Sequence, residues 1–351
     1  MNFYPVLAFL RHRFHAGGTA GHGVHSPLIY DFLTTVLRNK TPGDIVSHIE
    51  SLRGEMLSDK RILSVTDLGA GSLKMTGAER RVVDIASNAA LPVNQAGLLA
   101  RMALGMEHGA WSKEHESVEP RRGDTGQGAL GMELGARSIG HGASYDQVTV
   151  EPRRGDIMID DGASTHPNPD GVTHGMEQGA WGMGHGAKGT DLSRGNEEGI
   201  FLELGTSLGI STLAMALAAP GRRVVTVEGC PQLAEFARTN LERHGAQNVR
   251  VMNMEFTAAL EKLKTENVKV AFAFIDGNHR GEALMNYVRL ILQMGDEMVI
   301  VADDIHLNRD MYRSWKMISE SGVAEASVET NRFGILFRRN SLTPGRYRVW
   351  H

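Results

Sequence analysis

A glycine-rich repeat splits this chain in two, and it limits the possible folds more than any other feature of the sequence. Residues 105–199 carry 20 of the 41 glycines in a chain of 351 residues. The string VEPRRGD occurs at 118–124 and again at 150–156, and a unit GMxxGAx recurs as GMEHGAW, GMELGAR, GMEQGAW and GMGHGAK. A seven-residue period suggests a coiled coil, but that requires two apolar positions per heptad and tolerates glycine poorly. Here glycine fills two positions of every seven. Little apolar surface is left to set against the backbone entropy of ordering the segment. The expectation is therefore a disordered, low-complexity insert over 105–199. Its histidines (His108, His115, His141, His166, His174 and His185) lack the tight pairwise spacing of a metal site and read as incidental.

Without the insert two pieces remain, 1–104 and 200–351. The first has apolar residues at helical spacing over 26–38, 43–57 and 78–104, which predicts a helical or lid region. The second alternates strand and helix patterns, as a parallel α/β sheet requires. Strands are expected at 200–204, 223–227, 249–254, 268–275 and 298–302, with helices at 211–219, 231–244, 257–264, 282–294 and 309–320. The closing segments 326–330, 333–339 and 346–350 read as antiparallel additions at the sheet edge. The fold class is α/β, a mostly parallel Rossmann-like sheet with an N-terminal helical extension and a large insert.

The bulk properties narrow the function. A formal charge of −4 gives no general attraction to nucleic acid or anionic membrane, and no aromatic-basic clustering suggests a nucleic-acid surface. The apolar stretch at 3–10 is far shorter than the ~20 residues that span a bilayer. It lacks a signal peptide's basic n-region and small-residue cleavage site, so it reads as a short amphipathic helix, with contact to a membrane surface as the alternative. A single cysteine, Cys230, excludes an internal disulfide and suits a reducing cytoplasm.

The chemistry-bearing motif is GIFLELGTSLGIST, residues 199–212. An apolar strand runs through Glu203 into Gly205, Gly209 and a helix start at Ser211. Glycine at such a turn lets the backbone approach a ligand, and the helix N-terminus offers N–H groups to a negative charge. The Gly-x-x-x-Gly spacing differs from the Gly-x-Gly-x-x-Gly of dinucleotide enzymes. Glu228, in VVTVEGCP, ends the next strand, where a carboxylate can accept ribose hydroxyls. Taken in order, ELGTSLGIST, TVEGCP, FIDGNH and VADDIH resemble the class I S-adenosylmethionine-dependent methyltransferases, most of all the branch with the catechol and caffeoyl-CoA O-methyltransferases. GHGVHSPLIYDF and DLGAGS in the first piece are similar to a bacterial group of methyltransferases with a core of about this size.

That resemblance implies an S-adenosylmethionine-binding domain over 200–351. Glu203, Gly205, Thr206 and Gly209 would form the loop under the methionine part of the cofactor. Ser211 would contact its carboxylate, Glu228 the ribose, and Asp276 would stand beside the sulfonium. Met254, Glu255 and Phe256 depart from the family pattern near the adenine. In the metal-dependent members an aspartate after the fourth strand and an Asp-Asn pair after the fifth hold a divalent cation. Asp276, Asp303 and Asp304 stand in those places here, with aspartate replacing the asparagine. Three converging carboxylates repel unless a hard cation such as Mg2+ or a base balances them. The family's lysine is absent, so His279 is the first expected general base and His306 the second.

Two further motifs carry less weight. VTDLGAGS at 65–72 is not followed by a strand ending in an acid and reads as a loop near the site. DIMIDDGASTH at 156–166 lies inside the repeat. His22 and His25 fit a lid over the cofactor, although Ser26-Pro27 also reads simply as a helix start. The expected activity is methyl transfer to an oxygen of a small-molecule acceptor, with a second copy of the chain as a partner. A nucleotide-dependent oxidoreductase and a non-catalytic binding module are the alternatives.

Overall fold

The computed structural model describes residues 4–21, 23–66, 78–108 and 198–351. Residues 109–197 of the repeat segment, DIMIDDGASTH among them, lie outside the described residues, as do His22 and the glycines of DLGAGS. In the first piece the order is α1 (Tyr4–His15), α2 (Pro27–Asp31, continued by a π-helical turn over Phe32–Val36), α3 (Gly43–Ser58), β1 (Ile62–Ser64), β2 (Glu79–Arg81), α4 (Val82–Asn88) and α5 (Val93–Glu107). Ser26 caps α2, its side chain accepting from the Ile29 N–H, with Pro27 in the first turn. The helix expected over 78–104 is broken. Residues 79–81 pair with β1, and Leu91-Pro92 separates α4 from α5 because proline cannot continue a helix and pushes the residue before it out of helical conformation.

The second piece contains β3 (Ile200–Leu204), α6 (Ile210–Ala218), β4 (Val224–Glu228), α7 (Pro231–Arg243), β5 (Val249–Asn253), α8 (Phe256–Thr265), β6 (Val270–Ile275) and α9 (Gly281–Ile291). It continues with β7 (Met298–Ala302), α10 (Arg309–Glu320), β8 (Ala326–Glu329), β9 (Gly334–Arg338) and β10 (Gly345–Arg348). Among the described residues eight strands form one sheet in the order β10-β8-β9-β7-β6-β3-β4-β5. From β7 to β5 every pair is parallel, and the central strands IFLEL, VAFAFI and MVIVA are buried along their whole length.

One expectation is corrected at the edge. Only β9 is antiparallel to its neighbours, whereas β10 pairs parallel to β8, so β8 and β10 run in the same sense as β7. Hydrophobic alternation reports which face is buried and carries no strand direction, so the sequence could not tell these apart.

Helices cover both faces of the sheet. α8, α9 and α10 close one hydrophobic cluster, with Trp315 1% exposed, while α3, α5, α6 and α7 belong to the other. Helix α6 reads ISTLAMALA and is buried nearly all round, because the sheet covers one side and α5 the other. The first piece therefore supplies a layer of the core. The direction in which successive strands are added reverses between β3 and β6. From β3 the sheet builds outward through β4 and β5, and from β6 through β7, which opens a crevice at the carboxyl ends of the strands.

Candidate active site

Register aligns the expected site residues along that edge. Leu204 pairs with Val227 and Ile275, and Ile275 pairs with Ala302. The next residues on each strand, Gly205, Glu228, Asp276 and Asp303, consequently emerge side by side. The Asp276 N–H donates to Leu204 O at 2.9 Å and the Asp303 N–H to Ile275 O at 2.9 Å, so the first residue of each loop is still held by the ladder.

Gly205 has φ +110°, and a Cβ there would lie 2.1 Å from the Asp276 carbonyl oxygen. No side chain fits, because the turn after β3 presses against the loop after β6. Gly209, at φ +88°, caps α6 in the left-handed conformation. Between them Ser207 also takes positive φ, +48°.

The hydroxyls of this turn point inward. Thr206 is hydrogen-bonded to Thr226 (Oγ1–Oγ1 2.6 Å). The Thr226 and Thr212 hydroxyls donate to Glu203 Oε2, the former at 2.6 Å. Glu203 is wholly buried. Burial pushes its carboxyl up to about 7 against the hydroxyls of Ser211, Thr212 and Thr226, while the charge of Glu228 adds to the rise. Its Oε1 is buried with no hydrogen-bond partner among the described residues. Thr206 and Ser211, two of the expected cofactor contacts, are both buried at this turn.

Glu228 is oriented by the backbone: the Ser207 N–H donates to Oε2 and the Cys230 N–H to Oε1, each at 2.9 Å. Beside it the β1–β2 hairpin docks, with the Ser64 N–H donating to Gln232 Oε1 at 2.6 Å and the Thr66 N–H to Cys230 Sγ at 3.4 Å. The described part of the expected loop therefore does lie near Glu228. In the departed segment after β5, Glu255 caps α8, its side chain accepting from the Ala258 N–H at 2.9 Å, and Phe256 packs edge-on to Tyr287.

The three aspartates meet a residue that the sequence reading missed. Arg332 lies in the turn between β8 and β9, which β9 carries to the carboxyl end of β7 through the pair Ala302–Gly334. Its Nε donates to Asp303 Oδ1 at 2.6 Å, its Nη2 donates to Asp303 Oδ2, and Nη2 is 3.5 Å from Asp304 Oδ1. Burial disfavours the guanidinium charge, but Asp303, Asp304 and Asp276 outweigh it and raise the Arg332 pKa above its ordinary value. Burial and the neighbouring carboxylates push Asp303 up, against the grip of Arg332. We take the pair as ionised because two guanidinium N–H groups address both carboxylate oxygens. Asp276, 17% exposed, is pushed up to about 7, first by burial and then by the charge of Asp304, against that of Arg332.

These carboxylates do not fit a divalent ion as they stand, because both oxygens of Asp303 are taken and a fixed positive charge already lies among them. Asp304 does not cap the following helix. Asn308 does so, accepting from the Met311 N–H at 2.8 Å.

His279 Nε2 is 3.9 Å from Asp276 Oδ1, and its side chain is 29% exposed. Its loop is tied to α10, with the Gly281 N–H donating to Asp310 Oδ2 at 2.7 Å and Asn308 Nδ2 donating to His279 O at 3.4 Å. His306 faces another way. Its Nε2 is 3.2 Å from Thr330 O and 3.7 Å from Glu329 Oε1, its ring stacks on Tyr312, and burial lowers its pKa. A cavity of about 390 Å3 lies at the opposite edge of the sheet, lined by Arg222, Lys269, Met298 and Arg338 among others, and contains none of these residues.

Residues 202–305, from within β3 to the loop after β7, match the model of a family described as a methyltransferase domain. Over that stretch the chain is similar to a methyltransferase domain, and its sheet has the class I methyltransferase fold. It is 39% identical over 71 residues to a protein-L-isoaspartate O-methyltransferase of Methanococcoides burtonii, covering 20% of this chain and 35% of that protein. It is 28% identical over 130 residues to a probable cobalt-precorrin-6B C(15)-methyltransferase (decarboxylating) of Sulfolobus acidocaldarius, covering 37% and 65%. The chain thus spans about a third of the length of the first of these relatives and just under two thirds of the second. Among solved structures, an O-methyltransferase from Bacillus cereus in complex with SAH aligns at a TM-score of 0.34 and 22% identity, over 40% of this chain and 73% of that one. Among the described residues no helix is long and apolar enough to cross a membrane.

Proposed function

We propose that this protein transfers a methyl group from S-adenosylmethionine to an oxygen of a small-molecule acceptor in the cytoplasm. One observation supports this above the others: Gly205, Glu228 and Asp276 end adjacent strands across the reversal point, inside the stretch that matches a methyltransferase domain. The residues fit such a cofactor. Glu203 holds a buried acceptor atom without a partner among the described residues, and Glu228 presents a carboxylate already aimed by two backbone N–H groups.

When bound, the cofactor supplies a methyl carbon activated by its sulfonium, so alignment and acceptor deprotonation fall to the protein. The turn from Gly205 to Gly209 would hold the methionine part, Glu228 would accept from the ribose hydroxyls, and Asp276 would face the sulfonium. His279 takes the acceptor proton. The imidazolium so formed faces the Asp276 carboxyl, and the ties from Asn308 and Asp310 hold its loop in place.

Calorimetry with S-adenosylmethionine, S-adenosylhomocysteine and NAD tests the cofactor directly. The first two bind and NAD does not; the reverse order would sink the reading. His279→Ala lowers turnover by roughly 10²–10⁴-fold while leaving cofactor affinity unchanged.

A further inference from the structure

We propose that Arg332 is a built-in cation: it stands where a divalent ion would balance Asp276, Asp303 and Asp304, makes the site independent of metal, and positions the acceptor oxygen. The inference rests on the methyltransferase reading for the acceptor, but its metal arm can be read without any activity.

The geometry is that of a prepared charge. Thr330 builds the turn: its Oγ1 accepts from the Phe333 N–H at 2.8 Å and from the Arg332 N–H at 3.3 Å, and its own N–H donates to Phe333 O at 2.8 Å. The Ile305 N–H donates to Arg332 O at 3.2 Å, which ties the turn to the loop after β7. The backbone of Arg332 is thereby fixed from both sides, and Phe333 lies 6.0 Å beneath the guanidinium. Asp303, whose side chain is 0% exposed, then holds that guanidinium at two points. A hard ion bound to Asp303 would need an oxygen lone pair at ~2.1 Å for magnesium, and it would sit against a fixed positive charge.

The same geometry leaves one end of the arginine available. Nε and Nη2 are spent on Asp303, while Nη1 makes no hydrogen bond to a described residue, and the side chain is 26% exposed. Nη1 can therefore donate to an oxygen of the acceptor, and the guanidinium charge favours the oxyanion left when His279 removes the proton. An acceptor held this way needs one suitably placed oxygen, whereas a metal centre would select for a pair of oxygens that chelate.

The test uses the full chain, stripped with EDTA and titrated with manganese and magnesium chloride by calorimetry. The wild type takes up neither ion at millimolar concentration. Arg332→Ala uncovers the carboxylates and gains saturable manganese binding at least about tenfold tighter than the wild type, and the double variant with Asp303→Asn loses it again. Arg332→Lys keeps a charge in place and gains no metal.

Stoichiometric manganese binding by the wild type that Asp303→Asn removes would overturn the proposal. So would a folded Arg332→Ala that binds no metal. Should that variant fail to fold, the wild-type and Arg332→Lys titrations still decide. With an acceptor in hand, wild-type methyl transfer proceeds at full rate in EDTA, and a rate restored only by added metal also overturns the proposal. If S-adenosylmethionine does not bind at all, the functional reading falls while the metal result stands by itself.

Discussion

Glu203 and Glu228 lie one strand apart and have opposite surroundings, which separates what each can be asked to do. Glu228 sits at the rim with its oxygens aimed by Ser207 and Cys230 N–H groups. Replacing it by alanine removes a charged hydrogen-bond acceptor, so Glu228→Ala weakens S-adenosylmethionine binding by ~1.5–3 kcal/mol, read by calorimetry. Glu203 is inside, and its carboxyl is raised to about 7 from 4.5, chiefly by burial. A group whose folded value lies above its unfolded one favours folding fully at low pH. That contribution is lost as pH climbs from about 4.5 to about 7. The corresponding penalty above pH 7 is roughly 3 kcal/mol. Glu203→Gln should accordingly be more stable relative to the wild type at pH 8 than at pH 5, as denaturant midpoints at the two values would show.

At the scale of elements, the N-terminal helix is fastened to the last strands by a buried ionic knot. Glu329 on β8 accepts from Arg348 Nε on β10 at 2.7 Å and from Trp315 Nε1 on α10 at 3.2 Å, and His12 Nδ1 on α1 lies 3.4 Å away. His12 Nε2 donates to Val349 O at 2.9 Å, and Trp350 packs edge-on to Phe9. Burial alone would raise the Glu329 carboxyl, but His12 and Arg348 overcome it and hold it at about 2. The sign is opposite to that of Glu203. The stabilisation is complete above the unfolded value near 4.5 and fades as pH falls from there toward 2, by roughly 3 kcal/mol in all. Glu329→Gln should lose stability at pH 7 and lose less at pH 3. Equal losses at both values would show that packing, rather than charge, secures the helix.

At the scale of the molecule, the ends of the long insert are stapled together. Arg222 reaches both: Nε is 3.4 Å from Glu107 Oε2, Nη1 is 3.0 Å from Glu198 Oε2, and Nη1 donates to Glu198 O at 2.9 Å. The Gly221 N–H also donates to Glu107 Oε1 at 3.0 Å. Excising 109–197 and joining the ends by a short flexible linker should leave the melting temperature within a few degrees of that of the full chain. Both contacts of Arg222 survive that deletion, and closing a shorter loop costs less entropy. A large drop in melting temperature would mean that the insert packs on the core.

How much could be read in advance follows from which physical quantity each feature depends on. Periodicity located nearly every strand and helix of 200–351, because burial of a strand's face or a helix's stripe is written directly into residue order. The glycine spacing, Glu228 and Asp276 were legible for the same reason: parallel strands of one sheet bring their carboxyl ends together whatever the loops do. Strand direction at the edge was not legible, since alternation is the same in either sense. Nor was Arg332. Nothing local marks NRFG as part of a site, and the arginine arrives there only because β9 pairs antiparallel to β7 and returns its turn to the crevice. The sequence alone determined the sheet, the repeat that divides the chain and the acids at the strand ends. Tertiary structure decided which charge answers those acids, because a side chain's partner across 29 residues is set by strand pairing and not by spacing.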